Sequence, residues 1–270
     1  MPLIVFSHAN SFPAATYQVL FTNLRERGFT VKAPDKFGHD PKYPVNNNWP
    51  HLVEQLHDFA GREVERAGER AFLVGHSLGG FLSLMCAAQH PALARGVLLL
   101  DSPLVGGWRA SALGAAKQTR LVGSFAPGAV SRKRRHRWPD TQAALEHFRR
   151  KKAFATWDER VLHDYVSHCL HDDEDGQRAL SFDRDIETEI YNNLPHGMGR
   201  LLHAHPLQCP VAHIGGRMSE EMKRAGMAMT ARVTQGRLML IDGSHLFPME
   251  KPIATAAAIE AALLGFDFLP

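Results

Sequence analysis

The fold is decided by residues 71–79, which read Ala71-Phe72-Leu73-Val74-Gly75-His76-Ser77-Leu78-Gly79. The first four residues form a short apolar run, which predicts a buried strand. An apolar segment long enough for a helix begins at Leu78. Glycines lie two residues before and two residues after Ser77, and they allow a turn that is too sharp for ordinary side chains. The stretch therefore predicts a strand, a tight turn that lifts the Ser77 hydroxyl clear of a sheet, and a helix.

Similar apolar runs recur along the chain and alternate with helical stretches, which is typical of α/β proteins whose parallel sheet is covered on both faces. The predicted strands are Leu3–Ser7, Thr30–Ala33, Ala71–Val74, Gly96–Leu100, Val211–Ile214 and Arg237–Ile241. The predicted helices between them are Ala14–Arg27, His51–Ala67, Leu78–Gln89, Glu221–Thr234 and Pro252–Leu264. We therefore predict an α/β core that consists of residues 1–102 and 207–270.

The middle of the chain, residues 103–206, differs from this core in composition. It is rich in Arg, His, Ala and Leu at helical spacing, as in Thr141–Lys152 and Arg160–Leu170, and it has few β-branched runs. A helical segment inserted between two strands of a sheet covers one end of that sheet. We predict that residues 103–206 form an inserted helical cap.

A histidine near the C-terminus is the expected partner of Ser77. His245 lies four residues after the last predicted strand, in the stretch Asp242-Gly243-Ser244-His245. The carboxyl ends of parallel strands meet at one edge of a sheet, so His245 and Ser77 are expected at the same edge. A serine hydroxyl is a weak nucleophile until a base accepts its proton. We predict that Ser77 is a catalytic nucleophile and that His245 is its general base.

These features together resemble the α/β-hydrolase superfamily of serine hydrolases. The resemblance rests on the G-x-S-x-G turn around Ser77, on His245, and on the segment Phe6-Ser7-His8-Ala9-Asn10 where the family has an H-G-x motif. It implies an oxyanion hole formed by the main-chain N–H groups of Asn10 and Leu78. It also implies a mostly parallel central sheet from which the family's first two edge strands are missing.

Two residues are candidates for the acid that orients His245. In the superfamily this acid is usually an Asp in the loop after the strand Val211–Ile214, but here that loop contains Glu220 and no Asp. Asp101 is the other candidate, because it closes the strand Gly96–Leu100, where some members such as haloalkane dehalogenases carry their acid. Both candidates fit the chain order of nucleophile, acid and histidine. We favour Asp101, and the sequence leaves Glu220 open.

The resemblance implies a serine hydrolase that cleaves a carboxylic ester or thioester through an acyl-enzyme intermediate. We expect no cofactor and no metal, and we expect His8 and His76 to contact a small acyl substrate. Cleavage of a carbon–carbon bond by a hydrolase or a lyase is an alternative, since the same fold and triad support it. A non-catalytic binding protein that has kept the fold is the alternative from another class.

Composition and charge bear on the partners and the compartment. The net charge of +3 is too small to indicate a nucleic-acid partner, but six basic or potentially basic residues run from Arg132 to Arg137. We interpret this basic run as a solvated cap surface or as a rim that attracts anionic substrates. Three cysteines in no recognised spacing, together with the lack of a signal segment or membrane span, indicate a cytoplasmic protein. The sequence does not predict the oligomeric state.

Overall fold

The computed structural model describes residues 1–104, 131–132 and 134–267, and its strands belong to two sheets. The strands are β1 (Leu3–Ser7), β2 (Thr30–Lys32), β3 (Ala71–His76), β4 (Ala94–Leu100), β5 (Arg137–Trp138), β6 (Leu170–Asp172), β7 (Arg178–Leu180), β8 (Val211–Gly216) and β9 (Leu238–Ile241). The larger sheet has six parallel strands in the order β2-β1-β3-β4-β8-β9. This arrangement confirms the predicted α/β class with a parallel central sheet.

The helices of the described residues agree with most of the predicted ones. They are α1 (Gln18–Glu26), α2 (Pro50–Ala67), α3 (Leu78–Gln89), α4 (Thr141–Arg149), α5 (Glu159–His168), α6 (Arg184–Asn192), α7 (Met198–Ala204), α8 (Glu220–Ala225), α9 (Ala228–Val233), α10 (Phe247–Glu250) and α11 (Pro252–Asp267). The predicted helix Glu221–Thr234 is wrong as one element. It is interrupted at Gly226, whose φ of 73° ends α8 before α9 begins.

The central strands are apolar because helices cover both faces of the sheet. Alternate residues of a strand point to opposite faces, so Phe6 and Phe72 join the core under α1 and α11. Their neighbours Val5 and Leu73 join the core under α2 and α3. All residues of β1 and β3 are buried, which explains why these strands read as continuous apolar runs.

The predicted cap contains helices α4 to α7, but it also contains strands, which the sequence analysis missed. β5, β7 and β6 form a small antiparallel sheet. The acid-rich stretch between β6 and β7 makes their turn, in which the Asp173 carboxylate accepts the main-chain N–H groups of Asp175 and Gln177. Residues 105–130 of the predicted cap and Lys133 of the basic run lie outside the described residues. The boundaries of the core and the cap therefore stay predictions.

The segment after β1 contacts the predicted cap directly. The ring of Phe12 lies 5.5 Å from that of Trp157, and the Thr16 hydroxyl lies 3.3 Å from the Cys169 sulfur. On the other side of the sheet, the Trp49 indole N–H donates to the main-chain carbonyl of Ile190 in α6 at 3.1 Å. The cap elements thus pack over the carboxyl ends of the strands. Within the described ranges, we find no helix with the length and apolar character needed to cross a bilayer.

Candidate active site

Ser77 sits on a strained turn between β3 and α3. Its backbone has φ 52° and ψ −114°, a conformation that a residue with a side chain rarely adopts. The two flanking glycines are required by close packing, because a Cβ on Gly75 would lie 2.1 Å from the Gly79 carbonyl oxygen, and a Cβ on Gly79 would lie 2.0 Å from that of Ser7. The turn leaves Ser77 half-buried at the carboxyl end of the sheet.

His245 lies between Ser77 and Asp101. Its Nε2 atom is 3.1 Å from the Ser77 hydroxyl oxygen, and its Nδ1 atom is 2.6 Å from Asp101 Oδ2. Asp101 follows β4 directly, and His245 stands in the loop between β9 and α10. The structure therefore brings together three residues that are far apart in the chain, in the order hydroxyl, imidazole and carboxylate.

The Asp101 carboxylate is held in place by hydrogen bonds in a fully buried position. The main-chain N–H of Gly216 donates to Oδ1 at 2.7 Å, and the Ser219 hydroxyl donates to Oδ2 at 2.5 Å. Burial by itself raises the pKa of this carboxyl, but the hydrogen bond and charge of His245 and the two other donors hold the pKa below its ordinary value. Asp101 is therefore ionised beside His245 near neutral pH.

The imidazole of His245 is influenced by two carboxylates. Burial lowers its pKa, but the hydrogen bond to Asp101 and the charges of Asp101 and Glu221 raise the pKa above the ordinary 6.5. Glu221 Oε2 lies 3.8 Å from His245 Nδ1, and it also lies 3.4 Å from the Ser219 hydroxyl. The ring is thus poised to accept and hold a proton, as a general base must.

Glu220, the alternative acid of the sequence analysis, is turned away from His245. It is the first residue of α8, it is exposed, and its carboxylate pairs with Lys223 at 2.6 Å. Ser219 caps this helix by accepting the Met222 N–H at 3.2 Å. Successive helical residues point about 100° apart, so Glu221 rather than Glu220 faces the histidine. The structure places Asp101, and not Glu220, in contact with His245.

The two expected oxyanion donors are the main-chain N–H groups of Leu78, which follows Ser77, and of Asn10. Leu78 begins α3, where the helix leaves its first N–H groups unpaired, and Asn10 stands in the loop after β1. Neither main-chain N–H has an acceptor among the residues that the structure describes. The Asn10 side chain is engaged elsewhere, since its Oδ1 accepts the N–H of Ser11 and its Nδ2 donates to the carbonyl of Glu187.

His8 and His76 were expected to contact the substrate, and that expectation stays a prediction; the structure shows both rings fully buried. Nδ1 of His8 donates to the Ala9 carbonyl at 2.8 Å, and its Nε2 accepts the N–H of Phe37 at 3.0 Å. His76 bonds to the Tyr17 hydroxyl at 2.8 Å and to the main-chain carbonyl of His245 at 2.9 Å. Burial lowers the pKa of His8 to about 4 and that of His76 to about 3. Both rings are therefore neutral and hold main-chain segments of the site.

Several residues of the site were missed in the sequence. Ser219 and Glu221 follow β8, in the segment where the superfamily usually carries its acid. The position and residue type of Glu221 could both have indicated it, whereas the residue type of Ser219 gave no signal. Tyr17 and Glu187 carry no local signal, because Glu187 meets the loop after β1 across 176 residues of chain. Long-range contacts of this kind are not visible in one sequence.

The basic run is partly engaged inside the molecule. Nη2 of Arg134 lies 2.7 Å from the buried carboxylate of Glu187, and Nε of Arg137 lies 3.3 Å from that of Asp173. Arg132 and Arg135 are exposed. Some arginines of the basic run thus form ion pairs within the protein, and others are exposed to solvent.

The site contains a set of donor atoms that a metal ion could also bind. Asp101, Glu221 and His245 each offer one atom, and these atoms lie within 4.8 Å of one another. The hydroxyl, imidazole and carboxylate can perform proton transfer and nucleophilic attack without such an ion.

Comparison with known proteins gives both sequence and structural relatives. Over 100 residues the chain is 34% identical to the 2-(acetamidomethylene)succinate hydrolase of Mesorhizobium japonicum, a match that covers 37% of this chain and 35% of that protein. The chain thus matches about a third of that relative's length. A crystal structure of E-2-(acetamidomethylene)succinate hydrolase has a TM-score of 0.72 at 23% identity, covering 97% of this chain and 91% of the other. The thioesterase domain from the curacin biosynthetic pathway has a TM-score of 0.71 at 21% identity, covering 96% and 91%.

At these identities the two solved structures show the fold alone. A family model described as "Alpha/beta hydrolase family" matches residues 4–258, which is nearly the whole chain. The match includes the turn at Ser77, Asp101 after β4 and the loop of His245. The chain belongs to the α/β hydrolase family.

Proposed function

We propose that this protein hydrolyses a carboxylic ester or thioester through an acyl-enzyme formed on Ser77. The observation that carries the proposal is the geometry around His245, whose two ring nitrogens lie 3.1 Å from the Ser77 hydroxyl and 2.6 Å from the Asp101 carboxylate. A neutral histidine held between a hydroxyl and a buried carboxylate is the arrangement that activates a serine. Ser77, His245 and Asp101 are therefore the proposed nucleophile, general base and acid.

In the proposed first step, the Ser77 oxygen attacks the acyl carbon while His245 Nε2 accepts the hydroxyl proton. The carbonyl oxygen becomes an oxyanion, to which the main-chain N–H groups of Leu78 and Asn10 donate. The imidazolium then protonates the leaving alkoxide or thiolate, and the bond between it and the acyl carbon breaks. Asp101 stabilises the imidazolium and keeps its Nδ1–H pointing away from the serine.

In the second step, water takes the place of the leaving group. His245 accepts a proton from the water, whose oxygen attacks the acyl carbon of the acyl-enzyme. The tetrahedral intermediate collapses, Ser77 recovers its proton from His245, and a carboxylic acid is released. Both steps use the same residues, so no cofactor is required.

Two features support an acyl substrate that carries negative charge. The exposed residues Arg132 and Arg135 belong to the basic run. Arg134 of this run pairs with Glu187, which in turn contacts Ser11 in the loop after β1. The hydrolase that matches over 100 residues takes its name from a succinate, which is a dicarboxylate. We propose that solvent-facing arginines of the basic run attract such a substrate.

Labelling of Ser77 tests the proposal. A fluorophosphonate reacts only with an activated serine, so it should label the wild-type protein and not Ser77→Ala. In Ser77→Ala, hydrolysis of p-nitrophenyl esters and acyl thioesters should fall by about 10³-fold or more, as for loss of a triad nucleophile. Ser83→Ala is the matched control, because Ser83 is a buried serine of α3 whose hydroxyl has no partner among the described residues.

The outcomes separate the proposed function from its alternatives. Labelling of the wild type with turnover of esters or thioesters supports it. Labelling without turnover of either class favours cleavage of another bond, such as a carbon–carbon bond, by the same residues. A wild-type protein that is folded and is not labelled is a binding protein, and the proposed function is then wrong.

A further inference from the structure

The loop that carries the Asn10 N–H is held by the predicted cap. Ser11, the next residue, donates its hydroxyl to Oε1 of Glu187 at 2.5 Å. The Asn10 side-chain amide donates to the main-chain carbonyl of the same glutamate at 3.1 Å. One residue of α6 therefore receives two hydrogen bonds from two consecutive loop residues, across 176 and 177 positions of the chain.

Glu187 is unusual for a helical glutamate, because it is 4% exposed. Burying a carboxylate costs free energy unless its charge is compensated. Arg134 provides the compensation, with Nη2 at 2.7 Å from Oε2, while Ser11 occupies Oε1. The two carboxylate oxygens thus have separate partners, one in the loop and one in the basic run.

The loop after β1 needs stabilising contacts from outside it, because its backbone is strained at Ser11. Ser11 has a φ of 77°, in the region that favours glycine, and a non-glycine residue stays there only where its surroundings enforce it. The Asn10 N–H belongs to the peptide between Ala9 and Asn10, and its direction depends on how the backbone of Asn10 is rotated. The hydrogen bonds from Asn10 and Ser11 to Glu187 restrict that rotation, and they therefore help to fix the direction of this donor.

We propose that Glu187 is a positioning residue through which the cap sets the oxyanion hole. This inference rests on the proposed function, since it assigns the Asn10 N–H to the oxyanion. Glu187 contacts neither the substrate nor Ser77 and acts through its hydrogen bonds with Asn10 and Ser11. Its removal should weaken stabilisation of the transition state and leave binding of the substrate ground state nearly unchanged.

The test compares Glu187→Ala, Ser11→Ala and the double variant in the full-length protein. For each we measure kcat and KM for a p-nitrophenyl ester and Ki for a trifluoromethyl ketone. The Ser77 oxygen adds to the ketone carbon, His245 takes the hydroxyl proton, and the ketone oxygen becomes an oxyanion. This inhibitor therefore reports on the oxyanion hole without turnover. Glu189→Ala is the matched control, because Glu189 lies on the same helix and is exposed.

In both single variants we expect kcat to fall and Ki to rise by about tenfold to 100-fold, less than the loss of an oxyanion donor outright. KM should change by less than about threefold, since the ground-state carbonyl carries little charge. The double variant should be no worse in kcat and Ki than Glu187→Ala, because both single variants remove the same hydrogen bond between Ser11 and Glu187 and only Glu187→Ala also removes the ion pair with Arg134. Glu189→Ala should match the wild type. If Glu187→Ala does not fold, Ser11→Ala alone carries the test.

Other outcomes overturn the inference. Additive losses in the double variant would mean that the two residues act separately. An increase in KM with normal kcat and Ki would mean that Glu187 contributes to substrate binding. An equal loss of activity in Glu189→Ala would mean that the effect comes from a less stable cap. A wild-type protein that binds no ketone and is not labelled by a fluorophosphonate would instead contradict the proposed function.

Discussion

His76 donates a hydrogen bond from its ring to the main-chain carbonyl of His245, at 2.9 Å. A carbonyl oxygen only accepts, so Nε2 of His76 carries the proton and Nδ1 accepts the Tyr17 hydroxyl at 2.8 Å. The Tyr17 oxygen in turn accepts the N–H of Ala9 at 3.1 Å. This buried chain connects the loop of the proposed base to the loop of the proposed oxyanion donor.

Breaking that chain at Tyr17 is the first prediction. Tyr17→Phe removes only the hydroxyl and leaves the Ala9 N–H and His76 Nδ1 without a partner. We expect the free energy of unfolding to fall by about 1–3 kcal/mol, the cost of an unpaired buried group, as measured by urea denaturation. Because both loops lose their link, kcat should also fall by about tenfold.

Tyr43→Phe is the control for this prediction. Tyr43 is buried and donates its hydroxyl to Asp58 at 2.5 Å, on an element that does not belong to the site. Its removal should affect stability and leave kcat unchanged. If the two variants change kcat alike, the chain through Tyr17 has no role in positioning.

The second prediction concerns the acid. Asp101→Asn keeps the size of the side chain and removes its charge, so the imidazole loses the partner that fixes its tautomer. We expect kcat to fall by about 10³-fold to 10⁴-fold. Glu220→Gln should stay near the wild type, since its carboxylate pairs with Lys223 instead. A large loss in Glu220→Gln with little change in Asp101→Asn would contradict the assignment.

The third prediction concerns pH. Catalysis requires neutral His245, and its raised pKa places the acid limb of kcat/KM above pH 6.5. Glu221→Gln removes one of the charges that raise the pKa, so the inflection should move to lower pH. Glu220→Gln should leave it in place. The measurement is kcat/KM between about pH 5 and about pH 9, and an unchanged inflection in Glu221→Gln would exclude its influence.

The raised pKa of His245 affects stability in the opposite direction from activity. Because the folded protein holds the proton of His245 more tightly than the unfolded chain, this residue stabilises the folded state fully below its ordinary pKa of 6.5. That contribution is lost as the pH rises through the folded pKa. The protein should therefore gain activity and lose this part of its stability over the same pH range.

The fourth prediction tests the charge of the substrate. Neutralising Arg132 and Arg135 together, each by substitution with Gln, should lower kcat/KM for a negatively charged ester and not for a neutral one. The loss should be larger at low salt, because ions screen interactions between exposed charges. Arg150→Gln, which removes an exposed charge on α4's C-terminal side, is the control. Equal losses for both esters would leave the run as a plain solvated surface.

Much of the fold could be predicted because its signals are local. The turn at Ser77 is marked by a strand, two glycines and a helix start within nine residues. The parallel strands are marked by being apolar on both faces. The choice between Asp101 and Glu220 could not be made from the residues next to them in sequence. It depended on where α8 begins, since a shift of one residue decides whether Glu220 or Glu221 faces the histidine.

The small sheet of the cap shows the other limit. β5, β6 and β7 have two or three residues each, too short for an alternating pattern to stand out. The burial of Glu187 was equally hidden, because nothing near it in sequence indicates a buried carboxylate. Its partners Ser11 and Arg134 come from two distant segments, and only the folded chain brings them together.

The left-handed backbone of Ser11, Ser77 and Asp101 also bears on how this protein can be engineered. Each such residue costs of the order of 1–3 kcal/mol relative to a relaxed backbone, and glycine would relieve part of that cost. At Ser11 and Asp101 that relief is offset by the loss of buried side-chain hydrogen bonds, so a library selected for heat resistance alone should enrich glycine at Ser77 before the other two positions. At Ser77 the resulting clones would be more stable and inactive, so such a selection needs a parallel screen for turnover.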